Sequence, residues 1–501
     1  MGTKRKAMSS DNGKKMQSDN GKKMQKKSET SKTTKTKHKQ SSDNNGTDNE
    51  FKLVGALAVR AREASLKMQT ASAQHRNAAL VRIHTALSRN ENRAAIIEAN
   101  KLDLDAAVQN NLSPQLIKRL DLSSKDKFDS MIQGVKDIAD MPDPVGRNDL
   151  ATKLDDDLEL FRVSCPIGVI LIIFEARPEV VVNIAALTIK SGNAVILKGG
   201  KEAQHSNAIL AKIISDAISD DCGNVGKDAV LLVESRTAID VLLGMDKQID
   251  LVIPRGSNQL VRHVQGNTRI PVLGHADGIC TTYLDETLDE EKAIRIIIDA
   301  KTTAPSACNS TETLLIHKFH LETPFFITLL TRLAVANISL RIDPEIISAF
   351  PVITATIPTV TAATPEDFDT EFLDTILAVR AVASVDDAIS HINLHGSHHT
   401  DAIVTASQDA ADTFLRGVDS ADVFWNASTR FADGFRFGFG AEIGVSTNKT
   451  HARGPVGVEG LMIYKYRLHG NGHCTADYGE GVGRKSYKHD ALDIDSKRFQ
   501  L

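Results

Sequence analysis

The chain has 501 residues, of which 41% are hydrophobic and 25% charged, with a formal net charge of −4. This length allows more than one packed domain, and this polarity excludes an integral membrane protein. The charge is uneven, because residues 1–50 hold thirteen basic and six acidic side chains, so a basic tail precedes a mildly acidic body.

Within that tail, Ser10–Gln17 (SDNGKKMQ) recurs unchanged as Ser18–Gln25, with almost no large apolar side chain around it. Such a segment buries too little surface to offset its ordering entropy, so residues 1–50 are expected to be disordered. The tail is Lys-rich and contains Asp11, Asp19 and Glu29, unlike an Arg-rich, acid-poor transit peptide. A solvated appendage is expected, and no nucleic-acid partner.

From Phe51 to about Ala139, apolar residues recur at helical spacing (Ala79, Leu80, Ile83, Leu87; then Ile96, Ile97, Leu102), which predicts a helical entry region. From Leu158 the pattern changes to short apolar runs separated by helix-length segments: Val169–Phe174, Ala194–Leu197, Ala229–Val233 and Asp250–Ile253. Continuously apolar strands alternating with helices predict a parallel sheet covered on both faces. The longest apolar stretch, Ile167 to Leu187, is broken by Glu175, Arg177 and Glu179, so no membrane-spanning helix is expected. A second strand–helix series follows Pro271, through Leu314–Ile316, Phe326–Ala334, Val352–Ile357 and Ala378–Val382. Leu461–Leu468 reads as an extended strand, and residues after about His473 as a weakly ordered extension.

The five cysteines (Cys165, Cys222, Cys280, Cys308, Cys474) are widely spaced, with no C-x-x-C and no secretory signal ahead of them. Free thiols in a reducing, cytoplasmic setting follow. Cys280 reads as a core residue. His395, His398 and His399 form an H-x-x-H-H cluster, but no further ligand lies at a matching spacing, so solvated histidines in a turn are expected and no metal. Gly438-Phe-Gly440 with Gly444 lacks both a preceding apolar strand and the G-x-G-x-x-G spacing, and is not read as a dinucleotide fingerprint.

Several blocks then resemble, in order, the γ-glutamyl phosphate reductase branch of the aldehyde dehydrogenase superfamily. They are Pro166-Ile-Gly-Val169 with Phe174-Glu-Ala-Arg-Pro178; Lys190 to Gly200; Ile253-Pro-Arg-Gly256; Pro271-Val-Leu-Gly-His275 with Asp277-Gly-Ile279; Ala300-Lys-Thr302 with Cys308-Asn309 and Glu312-Thr-Leu-Leu315; Asn426 to Gly434; and His451-Ala-Arg-Gly-Pro455. The resemblance implies an α/β fold with two doubly wound domains, one for the cofactor and one catalytic, and a small β oligomerisation flap. It divides the chain into a cofactor domain over 51–285, whose segment 150–166 joins the flap, and a catalytic domain over 286–450. An oligomerisation strand over 451–472 and the extension 473–501 complete it.

The same resemblance implies reduction of L-glutamyl 5-phosphate to L-glutamate 5-semialdehyde in proline biosynthesis, with NADPH as cofactor and Cys308 as nucleophile. It implies a homo-oligomer, with glutamate 5-kinase as the pathway neighbour. An acyl transfer to sulfur needs a thiolate near the substrate carbonyl and donors for the oxygen that gains charge. The cofactor is expected at Lys198 and Lys201, at the turn Pro254-Arg255-Gly256-Ser257 and at Glu371, the first two groups lying at carboxyl ends of strands, where phosphates are met. Lys201 stands where NAD-preferring members carry a glutamate, which favours a 2′-phosphate. Substrate-binding candidates are Glu175, Arg177, His275, Asn309, Asn426, Arg430 and Arg453; a guanidinium grips carboxylate or phosphate in bidentate fashion. Hydrolytic members carry a glutamate before a Leu-Gly-Gly turn, and here Val272 precedes Leu273-Gly-His275. Valine cannot activate water. The alternative is a hydrolytic aldehyde dehydrogenase for another small acidic aldehyde.

Overall fold

The computed structural model describes residues 44–219, 223–235 and 238–494. The repeated octapeptide and Cys222 lie outside the described residues. Five helices lead the chain, Asn44–Met68, Ala73–Ser88, Asn90–Gln109, Pro114–Leu120 and Lys125–Asp140. The first corrects the expected tail boundary, since residues 44–50 are helical. Once Val54, Ala58, Ala61 and Met68 anchor that helix by their burial, adding residues at its start costs little, because propagation is far cheaper than nucleation.

The first sheet has four parallel strands in the order Val230–Leu232, Ala194–Gly199, Val169–Phe174, Leu251–Arg255. Along Val169–Phe174, Val169, Leu171 and Ile173 enter one core and Ile170, Ile172 and Phe174 the other. Both faces are dry, which is why this strand reads as one unbroken apolar run. The strand order reverses between Val169–Phe174 and Leu251–Arg255, so their carboxyl ends open the crevice where doubly wound sheets bind ligands.

The second sheet has seven parallel strands in the order Val360–Ala362, Ser339–Ile342, Ile376–Val382, Thr311–His317, Cys280–Leu284, Thr400–Val404, Asp422–Trp425. Cys280–Leu284 therefore belongs to the second sheet, and the boundary expected at 285 falls before Cys280. Asp401 draws this strand in by accepting the Thr281 N–H at 2.7 Å.

A third, antiparallel sheet joins Met462–His469, Leu158–Pro166, Asn148–Asp155 and Asp490–Ala491. The extension expected to be weakly ordered is thus docked, over residues 473–494. Tyr478 is buried and its hydroxyl donates to Asp155 Oδ2 at 2.9 Å, while Lys485 Nζ lies 3.1 Å from the same carboxylate. Composition hid this because the docking relies on a few polar partners rather than on an apolar face. No described helix is long and apolar enough to cross a membrane.

Lys301, near the end of helix Glu290–Thr302, and Glu312, in strand Thr311–His317, form a salt bridge with both side chains fully buried. It closes the segment between them, which carries Cys308. Lys301→Met leaves Glu312 without its counter-charge and is expected to cost about 3–5 kcal/mol in urea unfolding, whereas Lys301→Met/Glu312→Leu recovers most of that loss. Equal losses in the single and double variants would show that the pair does not act as a unit.

Candidate active site

Cys308 sits in the turn-rich segment 303–310, at the amino edge of the second sheet. The segment is fixed along its length. Ala307 N–H donates to Ala304 O at 3.1 Å and Ser310 N–H to Ala307 O at 2.8 Å. Asn309 Nδ2 donates to Ala432 O at 2.8 Å, and Thr429 Oγ1 to Asn309 O at 2.7 Å. Behind Cys308 runs Gly278, where a Cβ would lie 2.2 Å from Cys308 O and 2.6 Å from its Cα. Only glycine allows the two backbones to approach this closely. Cys280 is buried, as expected, and its Sγ donates to Cys308 O at 3.2 Å. Burial pushes its thiol well above the ordinary range.

Two imidazoles flank the Cys308 thiol: ligand atoms of His275, Cys308 and His399 all lie within 4.8 Å of one another, and the two rings meet edge to face at 4.7 Å. His275 Nδ1 lies 2.8 Å from Val445 O, so this nitrogen carries the proton and Nε2 is left for the sulfur. His399 Nδ1 lies 2.8 Å from Thr400 Oγ1, whose hydroxyl donates to Asp422 Oδ2 at 3.3 Å. This arrangement again leaves Nε2 free. Burial disfavours the Cys308 thiolate, but His399 and His275 outweigh it and hold the thiol well below its usual range. For His275, burial opposes the imidazolium and the thiolate overcomes that opposition, so its pKa is raised.

The expectation for the histidine cluster is corrected here. His399 is fully buried beside Cys308, His398 Nδ1 lies 2.6 Å from Asp419 O, and His395 Nδ1 lies 2.8 Å from Asp369. The cluster ends against strand Thr400–Val404, all of it buried, so the chain enters the core at this point. An apolar run directly after the histidines was the signal that places His399 inside.

The other expected residues divide into those near the thiol and those tied up elsewhere. Glu371 faces the site; its carboxyl is raised by burial and then by the Cys308 charge, and it is hydrogen-bonded by the Gly278 backbone. Arg255, expected at the cofactor, is shielded from solvent next to Glu442 at 3.9 Å, and burial and Arg177 lower its pKa while Glu442 and Cys308 raise it. Arg430 is half-buried with Nε unpartnered; burial and the neighbouring Arg436 lower its pKa, and the Cys308 charge opposes them. Arg436, which the sequence reading missed, donates to Arg430 O. Glu175 accepts the Ser257 N–H at 2.9 Å, and a Cβ on Gly256 would lie 2.3 Å from the same carboxylate oxygen. Arg453 is engaged by Asp419, at 3.0 Å to Oδ1 and 2.9 Å to the carbonyl. Asn426 bonds the Thr405 backbone on both sides, at 3.0 and 2.9 Å. Lys198 is buried and donates to Gly199 O, while Lys201 is exposed. Pro254 is buried within its strand. Val272 bridges to Val252, and its carbonyl accepts from Asn448 Nδ2 at 2.7 Å.

The model of the aldehyde dehydrogenase family matches residues 26–346. The chain is 48% identical over 438 residues to a probable gamma-glutamyl phosphate reductase of Schizosaccharomyces pombe, covering 86% of this chain and 95% of that protein. It is also 48% identical over 450 residues to the gamma-glutamyl phosphate reductase of Saccharomyces cerevisiae, covering 87% and 98%. Among solved structures, the gamma-glutamyl phosphate reductase of Thermotoga maritima matches with a TM-score of 0.79 at 35% identity, over 84% of this chain and 99% of that one. An acetylating aldehyde dehydrogenase of Geobacillus thermoglucosidasius, 17% identical with a TM-score of 0.59 over 85% and 98%, has a similar fold.

A thiolate paired with imidazoles stays reactive where an ordinary thiol is protonated. Alkylation of Cys308 by iodoacetamide, followed by mass spectrometry, is expected to remain fast well below the free-cysteine value of about 8.5, and His275→Gln or His399→Gln to move the profile toward that value. A profile centred at the free value in the parent protein would remove the ion pair from the account.

Proposed function

The chain belongs to the aldehyde dehydrogenase family, in its gamma-glutamyl phosphate reductase branch, and from there we propose the specific reaction. It is reduction of L-glutamyl 5-phosphate to L-glutamate 5-semialdehyde with NADPH, with release of phosphate, through a thioester on Cys308. The observation that carries this reading is the Cys308 thiol between two imidazoles, beside a Val272-Leu-Gly-His275 turn that offers no carboxylate to activate water.

The residues at the crevice fit a dinucleotide. Gly256 and Ser257 are exposed ahead of helix Asn258–Gly266, and Lys201 is exposed after strand Ala194–Gly199. Buried Asn207, facing Gly199, has an amide oxygen without a hydrogen-bond partner. Lys198, Lys201 and the 254–257 turn would hold NADPH, with Glu371 toward the nicotinamide ribose; NADPH supplies a hydride to the acyl carbon. In the protein's own chemistry, Cys308 Sγ attacks the acyl carbon, a C–S bond forms, and the C–O bond to phosphate breaks. The Cys308 N–H, which takes part in no hydrogen bond among the described residues, is placed to donate to the oxygen that gains charge. Arg430 and Arg255 supply positive charge around the sulfur for the phosphate and the substrate carboxylate. After reduction, the hemithioacetal alkoxide re-forms the C=O bond, the C–S bond breaks, and the Cys308 thiolate leaves into the charge of the His275 and His399 imidazoles.

A hydrolytic dehydrogenase is the second reading, favoured by the nearness of Glu371 to Cys308. Phosphate separates the two. In the reverse direction, oxidation of glutamate 5-semialdehyde is expected to require added phosphate, and Cys308→Ala to retain less than about 1% of the rate, as loss of a covalent nucleophile costs several orders of magnitude. Equal rates with and without phosphate would assign the hydrolytic reaction instead. Lys201→Glu replaces an attractive charge by a repulsive one at the 2′-phosphate, and is expected to raise the KM for NADPH about tenfold at low salt while leaving that for NADH nearly unchanged. An unchanged NADPH/NADH ratio would move the selectivity to another residue.

A further inference from the structure

We propose that Cys308 Sγ, His275 and His399 form a three-ligand site for a soft divalent cation, zinc foremost, whose binding withdraws the thiolate from reaction. The three ligand atoms lie within 4.8 Å of one another. Zinc, with bonds of roughly 2.0–2.3 Å, holds its ligands roughly 3.3–3.6 Å apart in a tetrahedron, so side-chain shifts of about 1 Å close the site.

Both imidazoles have the outer partners that metal-bound histidines need. Val445 O fixes Nδ1 of His275, and Thr400, itself bonded to Asp422, fixes Nδ1 of His399. Such partners set the tautomer and aim Nε2 at the ion. His399 is fully buried, yet its Nε2 has no hydrogen-bond partner. Only the Cys308 sulfur faces this buried nitrogen, and a cation between the two would give it a stronger partner. Cys308 and His275 are only partly buried, so the fourth position faces the crevice and takes water. Binding releases the imidazolium proton of the Cys308–His275 pair to solvent and involves no change of oxidation state. A one-thiolate, two-imidazole set prefers zinc or cobalt over magnesium or calcium. This differs from the metal reading of the H-x-x-H-H cluster, because only His399 of those three takes part.

Cobalt(II) titration of the reduced full-length chain reads the site without turnover, and therefore independently of whether Cys308 carries an acyl group in the proposed reaction. The expected spectrum combines a near-ultraviolet thiolate-to-cobalt band with strong visible bands of tetrahedral cobalt, and zinc abolishes both. His399→Gln, His275→Gln and Cys308→Ser are each expected to weaken binding about tenfold or more, while Cys474→Ser leaves it unchanged. Zinc should inhibit the reductase reversibly, with EDTA restoring activity. A cobalt spectrum without the thiolate band, or the same affinity in both histidine variants, overturns the proposal. Should one histidine variant fail to fold by circular dichroism, the other and Cys308→Ser decide it.

Discussion

The salt bridge of Lys301 with Glu312 is the constraint on which the geometry around Cys308 depends. It joins the last turn of one helix to the first residues of one strand, and the segment between them has no regular structure of its own. The Leu373 backbone faces the same carboxylate, close to the turn that carries Glu371. Burial raises the Glu312 carboxyl and lowers the Lys301 ammonium, each against the pull of its partner. Two apolar side chains of similar volume would give up little of the stability. What the pair adds is a fixed distance, because an ammonium and a carboxylate sealed from water tolerate little relative movement.

Around that fixed segment the charges are arranged with the thiol as the central anion. His275 and His399 are the immediate neighbours, and Arg255 and Arg430 respond to the same charge from further out. The carboxylates Glu371 and Glu442 stay close enough to have their pKa values raised by Cys308, after burial. A thiolate in such a setting is stabilised mainly by its two contacts and only modulated by the rest, since pair energies fall with distance and with solvent access. The carboxyl edge of the first sheet and the amino edge of the second supply these groups from opposite sides, through His275 and His399 respectively.

How much of this was legible in the sequence depended on the kind of signal. Val169–Phe174 was bounded to the residue, because a strand dry on both faces leaves an uninterrupted apolar run flanked by Gly168 and Glu175. Cys308 was legible only through its matched block, since one free thiol looks like another. His399 was misread, because a histidine's burial is set by the strand that follows it and not by its polar neighbours. Arg436 carried no local mark; its backbone N–H bonds the Asp433 carboxylate at 3.1 Å and its guanidinium donates to Arg430 O. Arg453 and Asn426 sat in matched blocks and yet bind their own backbone and carboxylate surroundings, which spacing alone cannot distinguish from binding a ligand.

The docking of residues 473–494 also sets an order of events. Asp155 meets Tyr478 across 323 positions and Lys485 across 330, and strand Leu158–Pro166 finds its partner only at Met462–His469. Such distant pairings must overcome a large loop-closure entropy before they are rewarded. The hairpin Asn148–Pro166 is therefore made early and left with both outer edges open until nearly the whole chain has left the ribosome. During synthesis those edges are templates for wrong strand pairing.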